Sequence, residues 1–202
     1  MRVLVACEES QEVCKAFRER GHEAYSCDIQ ECSGGHPEWH LKCDALEILK
    51  IKWDMIIAHP PCTYMSNAGA VRMRVGGVLQ EERYEQAMEA KAFFMRFFNA
   101  DCEKIAIENP TPMKIVGLPQ YTQAIQPYMF GHKYSKRTCL WLKGLPPLMP
   151  TEIVANHEPY VNGGCKDAHG NYRRFQGRGE RDPKTRSKTF SGIAKAMAEQ
   201  WG

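Results

Sequence analysis

Short apolar runs alternate with amphipathic stretches along the first half of the chain. Apolar residues at helical spacing predict helices at residues 11–20, 45–50 and 81–98. Short segments before, between and after these helices predict buried strands at residues 2–6, 23–27, 53–59 and 104–108, and all of them except residues 23–27 contain Val or Ile. Strands that alternate with helices favour an α/β fold with a Rossmann-like, doubly wound and mostly parallel sheet.

The ends of the first helix and the C-terminal part of the chain are also predicted. Ser10 is expected to be the N-cap of the first helix, and Gly21 to end it. Residues 125–130 and 138–142 predict two strands that pair antiparallel at the sheet edge. Residues 145–188, rich in Pro, Gly, Asn and Arg, predict loops, and Ser191–Trp201 predicts a last helix.

Length and composition indicate one globular domain. The chain has 202 residues, so we expect a single domain over residues 1–202 with a loop-rich basic insertion at residues 145–188. Hydrophobic residues make up 43% and charged residues 25%, as in ordinary globular proteins. The apolar runs are too short to cross a bilayer, and the N-terminus lacks a signal-peptide pattern. We therefore expect a cytoplasmic protein that does not bind membranes, with its nine cysteines mostly reduced.

Basic residues are concentrated near the C-terminus, although the net charge is only +3. Between Tyr172 and Lys188 lie seven Lys and Arg residues against two acidic ones. A segment of this kind can contact a polyanion. The alternative is a solvated surface loop.

Four chemically active side chains follow predicted strands. Asp28, Cys62 and Glu108 lie at or just beyond three strand ends, and Asp44 ends a weaker strand or turn. Parallel sheets bind ligands at the carboxyl ends of their strands. Cys62 follows two prolines, which stiffen the backbone that carries it. Because neighbouring strands lie about 5 Å apart, we expect Cys62 and Glu108 to form a catalytic pair; the alternatives are a core cysteine and a surface acid.

The ordered motifs P-P-C and I-E-N-P resemble those of the DNA cytosine carbon-5 methyltransferases. That family has a Pro-Cys loop followed by a Glu-Asn strand end. V-L-V-A-C-E-E-S-Q-E-V is similar to its first cofactor loop, and C-D at residues 43–44 to its adenine-contacting Gly-Asp. K-R-T-C-L-W is similar to its arginine-bearing strand, and K-T-F-S-G-I-A-K-A-M-A to its closing helix. This chain has Glu8-Glu9-Ser10 in place of the family's glycines, and Thr63 in place of its glutamine.

The resemblance implies a class I methyltransferase fold that binds S-adenosyl-L-methionine. No metal is expected in this chemistry. The residues implied in cofactor binding are Cys7, Glu8, Ser10, Asp28, Ile29, Asp44, Ala45, His59, Pro60 and Ser191.

The resemblance also implies covalent catalysis on a flipped or single-stranded base. Cys62 is expected to add to carbon-6 of cytosine, Glu108 to bond the ring nitrogen and exocyclic amine, and Arg137 to hold the base. The further residues implied in substrate binding are Thr63, Asn109, Arg173 and Arg174.

The interval between the arginine strand and the closing helix is too short for the family's usual target-recognition domain. In this respect the chain resembles the compact versions found in phages and prophages. The expected partner is DNA, duplex or single-stranded, and a second protein that supplies recognition is a further expectation.

The sequence leaves other functions open. One alternative is a methyltransferase-like nucleic-acid-binding protein with weak or no turnover, because the first loop lacks the family's glycines. RNA, a free nucleotide or an exocyclic amine are alternative methyl acceptors. A zinc deaminase is disfavoured, because Met65 occupies the position of its second cysteine.

A separate cluster of soft ligands lies between the second and third predicted strands. Its spacing is loosely typical of zinc sites and matches no standard pair of Cys-x-x-Cys motifs. The alternative is a loop over the cofactor in which Trp39 packs. The residues of the cluster are Cys27, Cys32, His36, His40 and Cys43.

Overall fold

The structure, a computed structural model, describes residues 1–166, 169–179 and 181–202. The strands are β1 (Arg2–Ala6), β2 (Glu23–Asp28), β3 (His40–Lys42), β4 (Met55–Ala58), β5 (Arg74–Val75), β6 (Val78–Leu79), β7 (Lys104–Pro110), β8 (Gln123–Ile125), β9 (Tyr134–Ser135), β10 (Thr138–Lys143), β11 (Glu158–Pro159), β12 (Gly163–Lys166) and β13 (Tyr172–Phe175). The α-helices are α1 (Glu12–Glu19), α2 (Ala45–Ile48), α3 (Ala70–Met73), α4 (Glu81–Phe98), α5 (Pro183–Ser187) and α6 (Ser191–Trp201).

Seven strands form the central sheet, in the order β3-β2-β1-β4-β7-β10-β8. The strands from β3 to β7 pair in parallel, whereas β10 is antiparallel to both of its neighbours. The order reverses between β1 and β4, which is the place where open α/β sheets bind ligands. The prediction of a Rossmann-like, mostly parallel sheet is confirmed, and the strand order is that of the class I methyltransferase fold.

Helices cover both faces of the sheet because the strand side chains alternate between them. In β1, Val3 and Val5 pack with α1 and α6, whereas Leu4 and Ala6 pack with α4. All four of these side chains are fully buried. No helix in the described ranges is both long and apolar enough to cross a bilayer.

Most predicted elements are present, with corrections at their ends and in the C-terminal part. The bounds of β1, α4 and α6 agree with the predictions. The strand predicted at residues 125–130 is instead β8, followed by a 3₁₀ turn at Pro127–Met129. Residues 145–188 contain the antiparallel hairpin β12–β13 and the helix α5, which their loop-like composition did not indicate.

The start of α1 differs from the prediction in a way that affects the site. Ser10 is not the N-cap: the helix is preceded by Gln11, in left-handed backbone conformation, whose side chain makes no capping bond. The Glu8 carboxylate acts in its place and accepts hydrogen bonds from the amides of Val13 (2.7 Å) and Cys14 (3.2 Å). Burial raises the pKa of Glu8, and these two bonds oppose the rise only in part. Glu8 thus accepts hydrogen bonds from helix amides that were predicted to be capped by Ser10.

We predict that Glu8→Ala lowers the free energy of unfolding by about 1–3 kcal/mol, because two buried amides lose their acceptor. The control is Glu12→Ala, which removes a half-exposed carboxylate 3.6 Å from Lys15 and should cost less than about 1 kcal/mol. Denaturant unfolding followed by circular dichroism measures both. Equal losses in the two variants would contradict this role for Glu8.

Candidate active site

Cys62 lies on a short, rigid connection beyond β4. The amide of His59 still donates to the carbonyl of Ala6 on β1 (2.9 Å), and two prolines follow. The carbonyl of Cys62 then accepts from the amides of Met65 (3.1 Å) and Ser66 (3.0 Å). The thiol is therefore held by a tight turn directly at the carboxyl edge of the sheet.

The loop that carries Cys62 is bonded to the segment after Glu108. The side-chain amide of Asn109 is buried and donates to the carbonyl of Pro60 (2.9 Å). Farther along, the amide of Met113 donates to the carbonyl of Met65 (2.7 Å). These bonds hold the ends of β4 and β7 in one arrangement. Asn109 was predicted to contact substrate, and the structure shows its amide group engaged with the loop.

Glu108 and His59 form a close pair on the face of the sheet that packs against α1 and α6. His59 Nδ1 lies 3.0 Å from Glu108 Oε2, and the two side chains are 11% and 19% exposed. Burial alone would raise the pKa of Glu108, but the bond and charge of His59, the charge of Lys136 and a bond to Thr138 outweigh it. The pKa of Glu108 is therefore lowered, and its side chain is a carboxylate at neutral pH.

Lys136 is a cation of this site that the sequence did not indicate. Its ammonium group donates to the carbonyl of Arg186 (2.8 Å) and lies 5.9 Å and 5.8 Å from the ring centres of Tyr160 and Phe190. Its charge lowers the pKa of both Glu108 and Cys62. Lys136 therefore stabilises negative charge at the two predicted catalytic groups.

Arg137, predicted to hold the base, is directed elsewhere. Its guanidinium donates to the hydroxyl of Tyr121 (2.9 Å) and is largely exposed. Successive residues of an extended chain point to opposite sides. In β10, Leu140 is paired with Glu108. Lys136 lies an even number of residues before Leu140 and therefore points to the same side as Glu108, whereas Arg137 points to the opposite side. The role of Arg137 stays a prediction, and Lys136 is the cation beside Glu108.

The Cys62 thiol is partly buried and acts in the field of Glu108. Its pKa is raised, first by burial and then by the charge of Glu108, while Lys136 opposes the rise. The free protein thus holds Cys62 as a thiol at neutral pH. A bound group that brings positive charge beside Cys62 would lower this pKa and favour the reactive thiolate.

A second set of predicted residues converges at the ends of β1, β2 and β3. Burial, followed by the charges of Asp28 and Asp44, raises the pKa of Cys7 to about 12. Cys7 also has left-handed backbone conformation (φ 59°), which is uncommon outside glycine. Ile29, after Asp28, is an apolar side chain that is 74% exposed. The arrangement offers carboxylates and an uncovered apolar surface at one edge of the sheet.

The other residues predicted to contact cofactor occupy varied positions. Ser10, Ala45 and Pro60 are buried. Both oxygens of Glu8 face helix amides, and one oxygen of Asp44 accepts from the amide of Leu46 at the start of α2 (2.9 Å). Ser191, the first residue of α6, lines a separate cleft of about 420 Å³. Their contacts with a cofactor stay predictions.

Apart from Asn109, the non-catalytic residues predicted to contact substrate lie at the surface. Thr63 is exposed, and its carbonyl accepts from Arg83 (3.2 Å). Arg173 and Arg174 are exposed on β13. The structure shows these side chains at the surface, and their contacts with substrate stay predictions.

The cysteines and histidines of the zinc alternative are engaged separately. Cys27 and Cys43 have their sulfur atoms 3.7 Å apart. His40 bonds the hydroxyl of Ser26 (2.8 Å) and the carbonyl of Gln30 (2.9 Å), and His36 stacks on Trp39. Within the described part of the chain, no three potential ligands are grouped to hold a metal ion.

Solved structures resemble the chain in the course of the backbone at low sequence identity. No protein-family model and no curated protein matches it. One similar structure is described as a DNA modification methyltransferase encoded within an E. coli prophage (TM-score 0.45), and another as an Entamoeba histolytica methyltransferase (TM-score 0.47). Each is 14% identical over 75% of this chain, which spans 51% and 57% of their respective lengths. Similarity at this level concerns the course of the backbone and says nothing about substrates.

We predict that Glu108→Gln shifts the alkylation of Cys62 to lower pH, because it removes a negative charge that raises the pKa of the thiol. Lys136→Gln should shift it to higher pH, because it removes the opposing positive charge. The control is Glu103→Gln, an exposed acid at the start of β7. Iodoacetamide rates against pH, resolved by peptide mass spectrometry, measure all three. If both Glu108→Gln and Lys136→Gln shifted the alkylation in the same direction, the opposite effects of these two charges on the pKa of Cys62 would be contradicted.

Proposed function

We propose that the protein transfers a methyl group from S-adenosyl-L-methionine to carbon-5 of cytosine in DNA. The observation that carries this proposal is the arrangement of Cys62 and Glu108. A thiol and a carboxylate from separate strand ends share one electrostatic site, and their loops are bonded to each other. A nucleophile beside a group that bonds the ring nitrogen is what covalent activation of a pyrimidine requires.

The edge formed by β1, β2 and β3 fits the proposed cofactor. Asp28 would bond the ribose hydroxyls, Ile29 would pack on the adenine, and Asp44 would contact its polar edge. The exposed apolar side chain of Ile29 supports this fit, because an adenine ring would remove it from water. S-Adenosylmethionine, when bound, supplies an electrophilic methyl group for carbon-5.

Cys62 and Glu108 would act on opposite parts of the cytosine ring. The Cys62 thiol gives its proton to solvent, its sulfur bonds to carbon-6, and the displaced electrons enrich carbon-5 and the ring nitrogen N3. Glu108 bonds N3 and the exocyclic amine as the charge there changes. Lys136 stabilises the anionic form of both side chains. After methylation, a base from solvent takes the carbon-5 proton, the electrons of that C–H bond restore the C5–C6 double bond, and the S–C6 bond breaks with its electron pair on Cys62.

DNA would be held by the basic segment that lies against this site. Lys184 on α5 lies 3.7 Å from the Glu9 carboxylate in the loop after β1, and the carbonyl of Arg186 binds Lys136. Arg173 and Arg174 on β13 would contact phosphates of a strand whose cytosine is unstacked. Recognition of a target sequence would come from this short segment or from a partner protein.

The decisive test is covalent trapping with 5-fluorocytosine DNA in the presence of S-adenosylmethionine. Fluorine is not lost as a proton is, so we predict a stable protein–DNA adduct that disappears in Cys62→Ala. The control is Cys32→Ala, which removes another partly exposed thiol and should keep the adduct. Duplex DNA, single-stranded DNA and RNA are compared as substrates.

Each result of the trapping test has a defined meaning. An adduct on RNA alone would replace DNA as substrate. If no adduct forms although the cofactor binds, methylation of an amine or a non-catalytic binding function would be favoured.

We predict that Asp28→Ala weakens S-adenosylmethionine binding by about 10- to 100-fold, the usual effect of losing hydrogen bonds to a charged group. Glu31→Ala, which removes an exposed acid paired with Lys42, should change it less than about twofold. Isothermal titration calorimetry measures both. Equal affinities in the two variants would show that Asp28 does not bind the cofactor.

A further inference from the structure

His59 has an unusually constrained position for an ionisable side chain. Register pairs Ala58 with Ile107, so His59 and Glu108 are the next residues on adjacent strand ends. Nδ1 of His59 meets Glu108 at 3.0 Å, while Nε2 is buried and has no hydrogen-bond partner among the described residues. The hydrogen bond from the His59 amide to the Ala6 carbonyl and the prolines that follow fix the backbone of His59, and the contact of Nδ1 with Glu108 orients the ring. The imidazole is thereby fixed behind the carboxylate.

Charged groups from three other parts of the chain face His59. Glu108 extends from β7, Glu8 from the loop after β1, and Lys136 from the segment before β10, while Cys62 lies on the same loop as His59. Burial alone would lower the pKa of His59, but the bond and charge of Glu108 and the charge of Glu8 outweigh burial and Lys136. Its pKa is raised, which favours the imidazolium form of His59 beside the Glu108 carboxylate.

The proposed reaction needs a proton that Glu108 by itself does not carry. When a thiolate adds to carbon-6 of cytosine, the electron pair displaced from the ring collects at N3 and must be protonated. Glu108 is positioned for this bond, but its low pKa leaves it ionised. Nδ1 of His59 lies 3.0 Å from Glu108 Oε2, and an imidazolium carries an acidic proton at that atom.

We propose that His59 is a positioning residue that stores the proton which Glu108 delivers to N3 of the base. As the Cys62 thiol loses its proton to solvent and the S–C6 bond forms, Nδ1 of His59 gives a proton to the Glu108 carboxylate, which passes a proton to N3. When Cys62 leaves, the S–C6 bond breaks, N3 returns its proton to Glu108, and Nδ1 is protonated again. The inference rests on the proposed cytosine chemistry and adds a residue to it.

The test compares wild type with His59→Gln, using the rate of adduct formation with 5-fluorocytosine DNA across a range of pH. At the lowest pH values of the range, the variant should form the adduct about 10²-fold more slowly, with little change in KM. This is a usual contribution of general acid catalysis. Above the pKa of His59, the wild-type protein loses the stored proton. The ratio of wild-type to variant rates should then fall by about tenfold per pH unit. A ratio that does not depend on pH would mean a structural role and would overturn the inference.

Two further measurements separate this inference from the proposed function. In a Glu108→Gln background, His59→Gln should have almost no further effect, because its action passes through Glu108. By NMR, Glu108→Gln should lower the pKa of His59 in the free protein, and the control Glu152→Gln, which acts on His132, should not. An unchanged pKa of His59 in Glu108→Gln would overturn the inference whatever the activity. Absence of any adduct in wild type would instead overturn the proposed function.

Discussion

The parallel pairing of β4 with β7 is the constraint on which the candidate site depends. Its register sets Ala58 against Ile107, and the residues that follow, His59 and Glu108, therefore meet at the edge of the sheet. The chain then turns through two prolines to Cys62, and Asn109 bonds the carbonyl of Pro60. A shift of this register by one residue would send Glu108 to the opposite face of the sheet and separate these groups.

Charge is concentrated at this edge and is balanced locally. The carboxylates of Glu8 and Glu108 share the surroundings of His59, and Lys136 adds a second positive charge. Buried ions of this kind are stable only when they are paired and hydrogen-bonded. The structure satisfies that requirement with an ion pair at 3.0 Å and with the helix amides that bind Glu8. The same balance keeps Glu108 ionised and Cys62 protonated before any ligand is bound.

The segment of residues 145–188 links the site to the exterior of the molecule. Its helix α5 contacts the loop after β1 through Lys184, and the carbonyl of Arg186 holds the ammonium of Lys136. The basic segment and Lys136 are therefore connected to each other. This connection supports a role for the segment in substrate binding, which its composition had suggested only as a charge pattern.

The sequence by itself determined most elements of the first half of the chain and the positions of the chemical groups at strand ends. The apolar pattern in residues 2–6 and 81–98 is local, and so is the Pro-Pro mount of Cys62, so each could be predicted without knowledge of the fold. Only the tertiary structure decided that Lys136 rather than Arg137 lies beside Glu108, that Glu8 caps α1, and that His59 pairs with Glu108. These outcomes depend on register between strands that are distant in sequence and on the side to which each residue points. A shift of one residue along a strand turns the side chain to the opposite face, and no local pattern in the chain indicates which face it will be.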